Sequence, residues 1–307
     1  MPTRNVLVTG GSGGIGRSCV ERFARDDGTQ VWFTYRHGKD RAEELVERLR
    51  RDGARVRAFA LDQGNWDDHE RLMAELPGPV DVLVNNAAVG SETVKKYAGG
   101  PPHTFASAFF QINAVGPLWL VESVLPSMVR RAQGKIVNIA SVGGGINQFP
   151  GFHTADGMSK AALAYLTRHL AAALAHSPVG VFAICPGAVE TSMFQASTLD
   201  KLSDEERAAL TARLPQGRLI RPEEIAEQVW WLAGEHSAAL HGAVIDASMG
   251  LGVHPGLLTG THDTRGGAFA GAFPEAGPGA GAGAFPETGP PSGAGVPVLA
   301  VPGGGVR

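Results

Sequence analysis

Thr9-Gly-Gly-Ser-Gly-Gly-Ile-Gly16 is the stretch that decides the fold. It follows an apolar, β-branched run, Asn5-Val-Leu-Val-Thr9, and opens a helical pattern over 14–26. Glycines between a strand and a helix let backbone N–H groups and the helix N-terminus approach a pyrophosphate, where any Cβ would be in the way. A lone glycine string is weak, and the strand–turn–helix context is what gives this one meaning.

Outward from that turn, short strand-like runs alternate with longer helical patterns up to residue 253. Strands are predicted over 5–9, 30–35, 55–61, 80–85, 135–140, 179–185 and 243–246, and helices near 14–26, 40–52, 66–76, 104–131, 154–175 and 223–233. Val80-Asp-Val-Leu-Val84 and Lys135-Ile-Val-Asn-Ile139 are mostly apolar without clean alternation, as in strands covered on both faces. The pattern predicts an α/β fold, a doubly wound parallel sheet of Rossmann type, in a single three-layer domain over 1–253. In such sheets the ligand lies at the carboxyl ends of the strands. The one long excursion, 189–217, follows such an end and contains an amphipathic stretch over 203–214; connections of this length are usually functional, and it is read as a substrate lid.

Of 42 glycines, 15 fall in residues 254–307 together with 8 prolines and 9 alanines. There Gly271-Ala-Phe-Pro-Glu275-Ala-Gly-Pro278 nearly repeats as Gly283-Ala-Phe-Pro-Glu287-Thr-Gly-Pro290. Two Gly/Ala/Pro units cannot bury enough surface to offset ordering entropy, so this tail is read as disordered. The formal net charge of −3, with 27 basic residues dispersed among 30 acidic ones, argues against nucleic acid or a membrane surface as partner. Cys19 and Cys185 read as free thiols, and no apolar leader fits ahead of the first strand, so a cytoplasmic location is expected. No cluster has metal-ligand spacing.

Several spaced motifs then fall in order: the glycine turn, Asn85-Asn-Ala-Ala88 after the fourth strand, Asn113 in a long helix, Ser141 after the fifth strand, Lys160 in the next helix, and Pro186-Gly-Ala-Val-Glu-Thr191 after the sixth. Over residues 5 to about 253 the chain resembles the short-chain dehydrogenase/reductases. The resemblance implies that Gly10, Ser12, Gly14, Ile15 and Gly16 wrap a diphosphate. It also implies that Asp62 and Gln63 contact adenine, that Asn86 and Ala87 line the adenosine ribose, and that Val189 and Thr191 meet the carboxamide. The second strand ends Thr34-Tyr35-Arg36 with no acidic residue for a free ribose 2′-hydroxyl. Arg36 can pair with a 2′-phosphate, so NADP(H) is expected over NAD(H).

The family's chemistry uses Ser, Tyr and Lys, with the tyrosine four residues before the lysine. Here His153-Thr-Ala-Asp156-Gly-Met-Ser-Lys160 puts Asp156 in that place. Tyr165 lies about 140° further round the helix than Lys160 and cannot substitute, whereas Tyr97 could reach in from its loop. The helix N-terminus and Lys160 favour an ionised Asp156 and burial opposes it; the sequence places the net effect with ionisation. An ionised carboxylate cannot protonate a carbonyl oxygen, a function typically worth about 10²- to 10⁴-fold.

Three readings stay open. One is an NADP-dependent carbonyl or ketoreductase using Asn113, Ser141, Asp156 and Lys160, with the proton coming from Ser141, from a water on Asp156 or from His153. A second is a redox-neutral lyase, isomerase or cyclase with Asp156 as general base. A third is a non-catalytic subunit. Gly143, Gly144 and Gly145 are expected to leave room beside Ser141, with Phe149, Phe152, Met193 and Phe194 as apolar walls, which suits a bulky, apolar substrate such as a secondary metabolite. The long helices match those through which family members form homodimers or homotetramers.

Overall fold

The structure is a computed structural model and describes residues 4–148 and 153–253. The tail with its repeat, and Phe149 and Phe152, lie outside the described residues. Seven strands, β1 (Arg4–Val8), β2 (Thr29–Tyr35), β3 (Arg55–Ala60), β4 (Val82–Asn85), β5 (Lys135–Ile139), β6 (Gly180–Pro186) and β7 (Val244–Ala247), form one sheet in the order β3-β2-β1-β4-β5-β6-β7. Every pairing is parallel, with Val8 beside Phe33 on one side and Val84 on the other, and Asn85 beside Asn138. The order turns back at β1, since its successor β2 lies on one side and β4 on the other. A crevice opens outside the carboxyl ends at such a switch point.

Alternate residues of one strand feed two layers. Val6, Val8, Val31, Phe33, Val84 and Phe182 pack on α1 (Gly14–Phe23), α2 (Lys39–Arg51) and α9 (Pro222–Leu232). Leu7, Trp32, Leu83, Ile136 and Val181 face the other way, against α3 (Trp66–Glu75) and α5 (Gly116–Arg130). That two-sided burial is why β4 and β5 lack polar alternation.

The helix predicted over 104–131 is in fact α4 (Pro102–Phe110), a π-helical turn at Gln111–Val115, and α5. By length and composition this run could cross a membrane. Its buried Phe109, Ile112, Leu120, Val124 and Met128 are instead parts of the protein's own core. The next helix, α6 (Thr154–Ala173), is fixed across the sheet by a buried polar chain: Asn85 Nδ2 donates to Asn138 Oδ1 at 2.9 Å, and Asn138 Nδ2 donates to Thr167 Oγ1 at 2.9 Å.

The excursion over 189–217 carries α7 (Ser192–Ser197) and α8 (Asp204–Arg213), the latter started by a capping box between Ser203 and Glu206. Its neck is closed by strand-like bonds, Glu190 N to Ile220 O and Ile220 N to Ala188 O, both 2.9 Å. Glu92, in the loop after β4, is ion-paired to Lys201 of the excursion at 2.7 Å, and Met193 lies over Gly90.

Candidate active site

At the crevice the glycine turn is shaped by close backbone contact. Gly10 (φ +66°) and Gly14 (φ +53°) adopt the left-handed conformation that disfavours a side chain. A Cβ on Gly16 would lie 2.3 Å from the Gly10 carbonyl oxygen and 2.4 Å from Asn86 Nδ2. Asn86 ties β4 to the turn, because its backbone N–H donates to Thr9 Oγ1 at 3.0 Å and its side-chain amide to the Thr9 carbonyl at 2.8 Å; the Ala87 N–H also donates to Thr9 Oγ1, at 2.9 Å. At Gly13, by contrast, a Cβ would meet nothing within 4 Å, and no side chain caps the first turn of α1. A helix start with uncapped N–H groups and open space beside it, between Ser12 and Ile15, fits a diphosphate. Thr191 caps α7 by accepting from Phe194 N–H at 3.2 Å and stands beside Gly14, while Val189 is buried in the neck.

Arg36 follows β2 as expected. Its Nη2 pairs with Asp62 Oδ2 at 2.8 Å, its guanidinium carbon lies 3.7 Å from the centre of the Tyr97 ring, and its Nη1 is buried without a partner. A buried donor lacking an acceptor is costly and fits an anionic group still to be supplied. Asp62 also accepts from Gly64 N–H at 3.1 Å. The Gln63 side chain points inward, donating to the carbonyls of Ala87 and Ile112 at 2.9 Å each, so any contact of Gln63 with adenine falls to its backbone.

At the other end, Asn113, Asp156 and Lys160 lie around the start of α6, and Ser141 follows two residues after Ile139, whose carbonyl Lys160 bonds. Ser141 Oγ accepts from Gly143 N–H at 3.2 Å, and a hydroxyl that accepts can still donate. The π-helical turn sets Asn113 facing the β4 exit, where it bonds both backbone groups of Val89 and donates to Ser159 Oγ at 3.1 Å. Ser159 in turn donates to the Asp156 carbonyl at 2.7 Å, which holds the first turn of α6 in place. Lys160 Nζ donates to the Ile139 carbonyl at 3.2 Å. Burial holds the Lys160 ammonium below its ordinary pKa, with Asp156 opposing. Burial likewise lifts the Asp156 carboxyl above its ordinary value, with Lys160 and His153 opposing. Desolvation outweighs the opposing charges in setting the direction at Asp156, and no ion pair within 4.0 Å joins its side chain to Lys160. Cys185, at the end of β6, has its thiol pushed up to about 11 by burial, which makes it inert at neutral pH.

The three tyrosines lie in different surroundings. Tyr165 is 70% exposed and stacks on His169, and Tyr35 packs into the core layer. Tyr97 lies against Arg36 after β2, its ring centre 3.7 Å from the guanidinium carbon, and packs on a cluster that includes Phe109 and Ala155, the latter next to Asp156. His153 is exposed at the start of α6 with its ring 5.0 Å from Phe109. Gly144 and Gly145 do not hold space open as expected. Their missing Cβ atoms admit the Gly157 carbonyl, which a Cβ on Gly144 would approach to 2.1 Å, and Cys185 Sγ, at 2.5 Å from one on Gly145. Met193 and Phe194 are partly exposed on α7. Among the described residues no group of three His, Cys, Asp or Glu side chains could hold a metal ion. Sequence reasoning missed Ser159, whose role depends on the π-helical turn, and the partners of Tyr97.

Residues 4–202 match the model of the short chain dehydrogenase family. The chain is 32% identical over 255 residues to acetoacetyl-CoA reductase of Allochromatium vinosum, a match covering 82% of this chain and 99% of the relative. It is 34% identical over 265 residues to a putative ketoacyl reductase of Streptomyces coelicolor, covering 80% and 96%. Among solved structures, a variant of actinorhodin polyketide ketoreductase with NADPH superposes with a TM-score of 0.73 at 32% identity, covering 82% of this chain and 99% of that one.

Proposed function

The chain belongs to the short chain dehydrogenase family of oxidoreductases, and from that premise we propose that it is an NADP(H)-dependent carbonyl reductase in which Asp156 takes over proton delivery. The observation that carries the reading is the arrangement of Arg36 and the glycine turn at one end of the crevice with Ser141, Asp156 and Lys160 at the other. The glycine turn with Ser12 and Ile15 would hold the diphosphate, Arg36 the 2′-phosphate, and Lys160 the nicotinamide ribose. When bound, the dinucleotide supplies a hydride. The chain's own residues supply the remainder: Ser141 donates to the substrate oxygen, and Asp156, whose carboxyl burial raises above its ordinary value, delivers the proton directly or through a water. Asn113 acts through Ser159 to hold the Asp156 turn in position.

Ketoacyl and polyketide reductases among its relatives support a bulky ketone, secondary-metabolite-like, lying between Ser141 and the excursion that carries Met193 and Phe194. A homodimer or homotetramer in the cytoplasm accords with the family and with the exposed Met158 and Tyr165 on α6. A second reading, redox-neutral chemistry with Asp156 as base, is supported by one observation: Tyr165 and Tyr35 are engaged elsewhere and Tyr97 lies against Arg36. With purified protein and a panel of β-ketoacyl thioesters and aromatic ketones, the proposal expects NADPH absorbance at 340 nm to fall in step with product. Turnover with a flat trace rejects the reductase and leaves the base.

A further inference from the structure

Tyr97 lies in the loop after β4, and none of the roles above uses it. One face of its ring lies against the Arg36 guanidinium, at 3.7 Å, and His37 meets it edge-on, with ring centres 5.6 Å apart. The ring is anchored on its other side, since it packs against the buried cluster of Val89, Val94, Phe109, Ile112 and Ala155, and the Tyr97 N–H donates to the Val94 carbonyl at 2.9 Å. Arg36 is therefore fixed twice, by Tyr97 on its face and by Asp62 on Nη2. What remains unmatched is Nη1, a buried N–H donor with no acceptor.

An unrestrained arginine loses rotamer freedom when it is immobilised on a phosphate. A guanidinium already held flat on an aromatic ring has given up much of that beforehand, and its planar fork stays aligned. We propose that Tyr97 is a positioning residue for dinucleotide specificity, holding Arg36 so that its unmatched N–H groups take the adenosine 2′-phosphate of NADP(H). The contribution of Tyr97 is confined to ligands that carry that phosphate, because it acts only through Arg36. This inference rests on the NADP(H) reading, which Arg36 tests separately.

The experiment is a binding titration, by calorimetry or tryptophan fluorescence, of NADPH, NADH and 2′,5′-ADP against the full chain and three variants. Arg36→Ala tests the underlying reading: its NADPH affinity falls and its NADH affinity does not, or the NADP(H) preference itself is wrong. Tyr97→Ala is expected to weaken NADPH and 2′,5′-ADP about 5- to 10-fold while leaving NADH unchanged, the unchanged NADH also showing that the crevice is intact. Tyr97→Phe, which keeps the stack, is expected to bind all three like the parent chain. The proposal for Tyr97 is overturned, with Arg36 still standing, if Tyr97→Ala leaves NADPH binding unchanged. It is equally overturned if NADPH and NADH weaken together, or if both tighten, which would make Tyr97 an obstruction in the cofactor site.

Discussion

Replacing Asp156 by asparagine removes the group that the proposal makes the proton donor, and changes the volume of the side chain very little. In the structure, burial raises the Asp156 carboxyl and lowers the Lys160 ammonium, and each side chain offsets part of the other's shift. The reductase mechanism needs the Asp156 carboxyl protonated. The parent chain's kcat/KM should therefore fall by about tenfold per pH unit above the raised Asp156 value, as the acid form is titrated away. Asparagine abolishes that limb. General acid catalysis is typically worth about 10²- to 10⁴-fold, or roughly 3–5 kcal/mol of barrier, and a loss in this range is expected at the pH where the parent is fastest. The asparagine also withdraws the carboxylate that keeps the buried Lys160 charged, so Lys160 should lose its proton at lower pH in the variant, weakening its hold on ribose hydroxyls on the alkaline side. The assay is initial rates of NADPH consumption from about pH 5 to 9 in constant ionic strength. An asparagine variant that keeps its activity within about threefold, or retains the parent's pH profile, refutes Asp156 as the proton source.

Asp156→Tyr restores the family's residue and should raise carbonyl reduction under the reductase reading, measured as product formed per NADPH consumed; abolition of a native reaction would instead mark Asp156 as a specialised base. Gly16→Ala puts a Cβ 2.3 Å from the Gly10 carbonyl oxygen and 2.4 Å from Asn86 Nδ2, so the turn must shift and the thermal stabilisation given by NADPH should disappear, while an undiminished shift in melting temperature would show that the turn does not hold the diphosphate. Glu92 is held at about 2 by hydrogen bonds from Lys201 and Lys95. Its folded value is depressed, so its contribution is present above the ordinary carboxylate range and lost as pH falls towards 2. Glu92→Gln should loosen the excursion, raising KM for substrate more than it lowers kcat and exposing the 192–217 segment to protease; unchanged KM and cleavage would show that the Lys201 pair does not hold it.

Much of the fold was legible because its cause is local. Residues 6–8, 31–33 and 82–84 are apolar throughout because both faces of the sheet are covered, and that pattern survives in one dimension. The glycine turn was readable because strand, turn and helix follow one another in sequence, although Asn86, Ala87 and Thr191, which lie against it, do not. Asp156 announced itself by its spacing to Lys160. The π-helical turn at Gln111–Val115 was not legible, because Gln-Ile-Asn-Ala-Val reads as plain helix and its distortion accompanies the bonds Asn113 makes to Val89, 24 residues away. Gly144 and Gly145 looked like space for substrate, yet their neighbours are Gly157 and Cys185, which only the packing of α6 and β6 brings there. The directions of the Gln63 and Tyr97 side chains were not legible for a related reason. Sequence position fixes where a side chain starts but not which way it turns, and the carbonyls of Ala87 and Ile112 draw one inward while the other turns to Arg36.

Net hydride transfer is the central claim, and isotope tracing tests it most directly. The protein is incubated with a converted ketone and NADPH carrying deuterium at the transferable C4 position, and the product is weighed by mass spectrometry. The account predicts an alcohol one mass unit heavier than the product made with unlabelled NADPH, in an amount equal to the NADP+ formed. A product without deuterium, formed while the labelled NADPH is recovered unchanged, would contradict it.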